Sequence, residues 1–161
     1  ESGPIPGPTF FYRIETLDAS LAVPFAIGGH GLRYTATFRG QHTSSLLYAS
    51  EFFTIGNRWT VRGFDGESTL ASENGSFLRN DLECPIAQGR QSIYLGVDGG
   101  RVYGSNEKAL LGQSIVGAVL GLKGAIGKGF YFDFFVGGPL SQPERFPNHW
   151  PVLGFSVSYQ K

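Results

Sequence analysis

Polar and apolar residues alternate along most of this chain, a period of two that predicts β-strands and offers no helix. The alternation runs over 10–24, 30–41, 45–56, 76–86, 91–104, 112–127, 129–137 and 151–160, which gives eight predicted strands. Between the third and fourth of them, Asn57 to Gly75 breaks the period and reads as a loop. The opening stretch ESGPIPGP reads as a turn or linker. The two faces of each strand differ in character. Val116, Ala118, Leu120 and Leu122 oppose Ile115, Gly117, Val119, Gly121 and Lys123. Leu32, Tyr34, Ala36 and Phe38 oppose Arg33, Thr35, Thr37 and Arg39. Phe130, Phe132, Phe134 and Val136 oppose Tyr131, Asp133 and Phe135, and Leu153, Phe155, Val157 and Tyr159 oppose Gly154, Ser156 and Ser158.

A soluble sandwich alternates in the same way, with its apolar face turned inward. Two features favour a transmembrane barrel. Several predicted strands exceed ten residues, against the usual five or six of soluble sheets. The turns are also unequal: AIGKG is tight, whereas VYGSNEKALLG and GGPLSQPERFPNHW are long and polar. Short turns at one end and long loops at the other are the habit of bacterial outer-membrane barrels. The expected fold is therefore all-β, an antiparallel transmembrane β-barrel.

Composition sharpens this reading. Only 16% of the 161 residues are charged, below the roughly 25% of soluble domains, while 24 glycines and 14% aromatics are high. Hydrophobic residues make up 41%, and no apolar run approaches the ~18 residues of a membrane helix. Thirteen basic and thirteen acidic residues cancel, so no nucleic-acid partner is expected. Cys84 is the sole cysteine, which excludes an internal disulfide. His30, His42 and His149 lack metal-ligand spacing, and neither a nucleophile elbow nor a phosphate loop is present. No catalytic residue, cofactor or metal is expected, and the chain is not expected to be an enzyme. It starts at Glu1 without methionine or a signal segment, the expectation for a mature protein or a fragment.

The chemistry concentrates in two places. In the loop, Val61, Arg62, Gly63 and Phe64 form VRGF. Downstream, Tyr94, Gly96, Asp98 and Gly100 share one strand face, opposite the apolar Ile93, Leu95 and Val97. Asp98 is expected to point into the lumen between neighbours that have no side chains. Glycines within a strand mark close approach of another segment, and an inward carboxylate in such a groove suits a cation. A guanidinium can grip it bidentately.

VRGF followed one strand later by Gly-x-Asp-x-Gly resembles the outer-membrane transporters of two-partner secretion, the TpsB family. The surrounding GNRWTVRGFDGESTLASENGSFLRNDL is similar to exporters of the haemagglutinin, haemolysin and contact-dependent-inhibition type. The resemblance covers essentially the whole chain. It implies a sixteen-stranded barrel, preceded by periplasmic POTRA domains and a plug helix, of which residues 1–161 would be the C-terminal half. It further implies that 57–75 folds into the lumen, that Arg62 pairs with Asp98, and that Phe155, Val157 and Tyr159 act as a C-terminal insertion signal. Lys161 stands where the family usually ends on an aromatic residue. The implied location is the bacterial outer membrane. The implied partners are a secreted exoprotein, membrane lipids, and periplasmic chaperones with the barrel-assembly machinery during insertion. The implied function is export of a large unfolded partner protein to the cell surface. Two alternatives remain at this stage: an insertase of the same superfamily, or a soluble β-sandwich binding module using Trp59 and Trp150.

Overall fold

The computed structural model describes residues 7–127 and 129–161. Nine strands follow in order: β1 (Glu15–Ile27), β2 (His30–His42), β3 (Phe53–Ile55), β4 (Leu70–Ser72), β5 (Asn74–Ile86), β6 (Gln91–Tyr103), β7 (Ser114–Ile126), β8 (Phe130–Ser141) and β9 (Val152–Tyr159). Seven of them form one antiparallel sheet in the order β1-β2-β5-β6-β7-β8-β9, and β3 and β4 form a separate hairpin. Every sheet strand thus pairs with its neighbour in sequence, except that β2 meets β5 across the β3–β4 excursion. Within this sheet β1 and β9 are the two edges and do not pair with each other.

The third of the eight expected strands, Ser45–Gly56, is not in the sheet. Only Phe53–Ile55 of it is extended, and it pairs with Leu70–Ser72. The expected count of eight therefore becomes seven, two before the excursion and five after it. The reason is physical. Phe53 and Ile55 are buried, but against Phe77, Val102 and Ile115 on the concave side of the sheet. A period of two records burial on one side of a strand and is blind to whether lipid or a protein core covers it. The first strand also begins later than predicted, and Phe10 and Phe11 lie exposed ahead of it.

Five sheet strands, β1, β2, β5, β6 and β7, are 13 residues long. At ~3.3 Å per residue and a tilt near 45°, that length crosses the ~30 Å hydrocarbon layer. Leu17, Leu21, Leu78, Leu82, Ile93, Leu95, Leu120, Phe134 and Phe155 are exposed on the convex face. On β6 to β9 they fall on the apolar parity that the alternation predicts, and the register places Leu17, Leu21, Leu78 and Leu82 on the same face. Cys84 is exposed on the same parity of β5 as Leu78 and Leu82.

The turns sort by end. β1 passes to β2 through Gly28 and Gly29, both at positive φ, where residues without a Cβ close a hairpin at no steric cost. The β5–β6 and β7–β8 turns at the same end are also brief. At the opposite end lie the β2–β5 excursion and the β6–β7 and β8–β9 loops. The excursion folds back over the concave face. There Phe53, Ile55, Val61, Phe64 and Leu70 pack with Phe77, Val102, Ile115 and Phe146 in one core. The larger apolar cluster is thus a joint between an inward loop and the sheet wall, and a smaller one, Tyr94, Val119 and Phe135, lies on the wall itself.

Candidate functional site

The loop is shaped locally before it meets the wall. Gly56, at φ +103°, turns the chain out of β3. The Asn57 side chain then accepts the backbone N–H groups of Trp59 at 2.9 Å and Thr60 at 3.1 Å, an Asx-turn that fixes the approach to Val61. Val61 is fully buried and Arg62 is 2% exposed.

Arg62 and Asp98 meet in a fork. Nε donates to Asp98 Oδ2 at 2.6 Å and Nη2 to Oδ1 at 2.8 Å. The backbone N–H of Arg62 also donates to Oδ2 at 3.0 Å. Asp98 is 1% exposed, so this charge-assisted bidentate pair is removed from water. A second carboxylate, absent from the sequence reading, shares the guanidinium: Asp81 on β5 accepts from Nη2 at 2.5 Å. Arg79 approaches Asp98 at 3.9 Å from the β5 side. Arg62 thereby bridges β5 and β6, whose register places Arg79 opposite Asp98 and Asp81 opposite Gly96.

An aromatic floor lies beneath. The Arg62 guanidinium is 5.6 Å from the Tyr94 ring centroid and the Lys123 ammonium 5.0 Å from it, both within reach of cation–π attraction. Tyr94 donates its hydroxyl to Asp133 on β8 at 2.8 Å, and Lys123 on β7 donates to Glu83 on β5 at 2.7 Å. Four neighbouring strands are tied together under the loop. Among the described residues, no buried side-chain nitrogen or oxygen lacks a hydrogen-bond partner. That completeness matters, because a buried charge left alone costs several kcal/mol.

The glycines make the contact possible. A Cβ on Gly96 would lie 2.6 Å from Arg62 Nη2 and 2.7 Å from Asp81 Oδ1, and one on Gly100 would lie 2.9 Å from Val61. On β7, a Cβ on Gly117 would strike the Arg62 carbonyl oxygen. Gly63, at φ +92°, presses its backbone against Gly138 of β8. The sheet is bare where the VRG backbone lies on it.

Phe64 is 2% exposed and meets Phe146 edge to face, centroids 5.8 Å apart. Beyond it, the β8–β9 loop reaches the tip of the inward loop. Asn148 accepts the Asp65 N–H at 3.0 Å and donates to the Gly63 carbonyl at 3.2 Å. His149 donates its N–H to Asp65 at 2.8 Å. These contacts were missed because their residues are some eighty positions away in sequence, in a loop without periodicity. Asp81 carried a faint signal, since it shares a strand parity with Arg79 and Glu83. Phe155, Val157 and Tyr159 lie apart from this site, exposed on the convex side of β9. Trp150 is exposed, its ring lying over Gly138 near the long-loop end.

Residues 1–124 match the family described as haemolysin secretion/activation protein ShlB/FhaC/HecB. The chain belongs to that family. Among ShlB/FhaC/HecB relatives, the outer membrane transporter CdiB-2 of Burkholderia pseudomallei strain 1026b is 41% identical over 157 residues, covering 96% of this chain and 27% of that protein. The hemolysin transporter protein HpmB of Proteus mirabilis is 38% identical over 71 residues, 43% of this chain and 12% of that protein. CdiB from Acinetobacter baumannii superposes with a TM-score of 0.82 at 30% identity, over 92% of this chain and 27% of that structure. The chain thus spans about a quarter of the length of the relatives that match nearly all of it. Its open sheet has the architecture of part of their barrel wall, and these relatives place it in the bacterial outer membrane.

Proposed function

We propose that residues 1–161 are the C-terminal part of a transmembrane β-barrel that exports a large unfolded partner protein to the cell surface. The complete barrel would have sixteen strands, and the segment 57–75 would be the heart of its inward-folding loop. The protein would be a pore and not an enzyme. The observation that carries this reading is the buried Arg62–Asp98 fork, which moors a loop across the concave face of a membrane-length sheet. A loop held in this way occupies the route an extended substrate would take, so its position governs passage. Val61, Gly63, Phe64, Gly96 and Gly100 shape the mooring, and Arg62 and Asp98 set its resting state. Phe155, Val157 and Tyr159, with their outward aromatic and apolar pattern, would be read by periplasmic chaperones and the assembly machinery during insertion into lipid. The names of the relatives favour secretion over insertase activity.

The test is Arg62→Ala in the full-length transporter, expressed with its exported partner. Secretion should fall at least tenfold while the amount of heat-modifiable barrel in the outer membrane stays near wild type. Breaking one partner of a buried pair costs about 3–5 kcal/mol, ample to shift a loop. Normal secretion by this variant would overturn the reading. The double exchange Arg62→Asp with Asp98→Arg should recover only part of the activity. It would leave an aspartate beside Asp81 and an arginine beside Arg79.

A further inference from the structure

Two arginines meet two carboxylates on the concave side of β5 and β6, and one of the arginines belongs to the loop. Arg62 arrives with the loop, whereas Arg79, Asp81 and Asp98 are built into the wall. The register sets Arg79 directly opposite Asp98. Asp81, two residues along β5 and on the same face as Arg79, stands opposite the bare Gly96. With the loop moored, these four charges cancel. Arg62 fills Asp98 from the loop side: Oδ2 takes its Nε and backbone N–H, and Oδ1 takes its Nη2. Arg79 stands off, its Nε 3.9 Å from Oδ2 and its side chain 24% exposed. Its Nη1 donates instead to the Trp59 carbonyl of the loop at 3.3 Å. Lys123, the other cation beside Tyr94, is bonded to Glu83.

We propose that Arg79 is a positioning residue for export, the cation that replaces Arg62 on Asp98 while the inward loop is displaced. The proposal rests on the export reading above, since it concerns movement of the same loop. Displacement takes Arg62 from both carboxylates and leaves one positive and two negative groups on this part of the wall. The same movement carries off the Trp59 carbonyl, so Arg79 loses its own partner at that moment. Closing from 3.9 Å to a charge-assisted hydrogen bond needs a shift of about 1 Å, which a change of side-chain rotamer supplies. Opposite charges facing each other across a strand pair attract, and like charges there repel. Arg79 would therefore satisfy Asp98 and also screen it from Asp81. Without this replacement, displacement would leave two neighbouring carboxylates uncompensated on a wall of low dielectric, and the loop would stay moored. The swap also keeps Asp98 paired in Arg62→Ala, in accord with normal insertion of that variant. Arg79 has no loop backbone to place, so for this task a point charge is enough.

Hydrogen exchange of the 61–64 amides in the purified full-length transporter reports displacement, because the moored Arg62 N–H is bonded to Asp98. Arg79→Gln removes the charge and keeps a hydrogen-bond donor. Its 61–64 amides should exchange about fivefold more slowly than in wild type, the upper end of the range for partly exposed pairs. Secretion of the partner should fall in parallel. Arg79→Lys should stay within about twofold of wild type in both measurements. Heat-modifiable mobility should show both variants assembled. A residue that merely braced the loop through Trp59 would have the opposite sign, since its loss would free the loop and speed exchange. Exchange in Arg79→Gln as fast as wild type, or faster, would therefore overturn the proposal. Equally slow exchange in Arg79→Lys would overturn it too, because charge would not be what matters. So would failure of Arg79→Gln to assemble, since Asp98 would then need both arginines at rest. The expected exchange pattern with no export by any form would sink the export reading and leave the swap standing.

Discussion

A guanidinium that meets two carboxylates from adjacent strands does something a point charge cannot. Arg62 spans Asp98 through Nε and Nη2 and reaches Asp81 with Nη2 as well. Lysine keeps the charge but has a single nitrogen, so it can satisfy one carboxylate well and not the fork. Arg62→Lys is therefore expected to behave far more like Arg62→Ala than like wild type, with secretion several-fold below normal. The loop should also become more sensitive to added protease on intact cells, the readout that checks the position of the loop directly. If lysine restored secretion, charge alone would be enough and the geometry would be incidental. The bare glycines argue for geometry. Gly96 leaves room for the guanidinium and Gly117 for the backbone behind it, so the wall fits the shape of this arginine as well as its charge.

The element at issue is the whole excursion from Thr43 to Glu73, and its roots are fastened independently of its tip. The Thr43 N–H donates to Asn74 Oδ1 at 2.7 Å, and Gln41 donates to the carbonyls of Glu51 and Glu73. Glu73, 3% exposed, accepts the Ser105 hydroxyl and N–H from the β6–β7 loop. Burial works to raise the Glu73 pKa, but the Ser105 hydrogen bonds outweigh it and hold the carboxyl below its ordinary value. A group depressed in the folded state stabilises above its unfolded pKa, near 4.3, and loses that contribution as pH falls through the folded one. The root should accordingly loosen below about pH 4. The protection factors of the 104–106 amides, exchange rates corrected for the slower intrinsic exchange in acid, should drop there in wild type. In Glu73→Gln protection should already be lower at neutral pH and change little on acidification. An acid-insensitive root in wild type would refute this. The excursion also marks the limit of what the pattern could tell. Alternation located six of the sheet strands closely and the first approximately, because lipid and lumen impose opposite polarity on successive residues. It drew Ser45–Gly56 as an eighth because Phe53 and Ile55 face a core too, one made where the excursion meets the wall. Asp98 was legible from its glycine neighbours. Asp81, Asn148 and His149 were not, since their roles come from register and from loops brought together only by the fold.

At the scale of the whole molecule, the sheet is a wall and not a vessel. Barrels of eight strands enclose little more than their own side chains, yet this concave face already carries a folded excursion with nine core residues at its joint with the wall. Seven strands curled shut would have to expel that core, so β1 and β9 must stay far apart while the loop is inside. The edges they present, rows of unpaired N–H and C=O groups, cannot remain bare in hydrocarbon. In the complete barrel proposed above, further strands would pair with them. Cysteines at outward positions of the two edges test this. In a background of Cys84→Ser, Leu21→Cys on β1 and Phe155→Cys on β9 should form no intramolecular disulfide in the membrane-inserted transporter. Leu21→Cys with Ala36→Cys, registered partners on β1 and β2, should cross-link as the positive control. A disulfide between positions 21 and 155 would mean that the seven strands close on themselves. The loop would then be outside, and the fork at Arg62 would have to form in some other way. No such bond is expected, because the excursion that the wall's glycines let settle against β6 and β7 fills the space a seven-stranded closure would need.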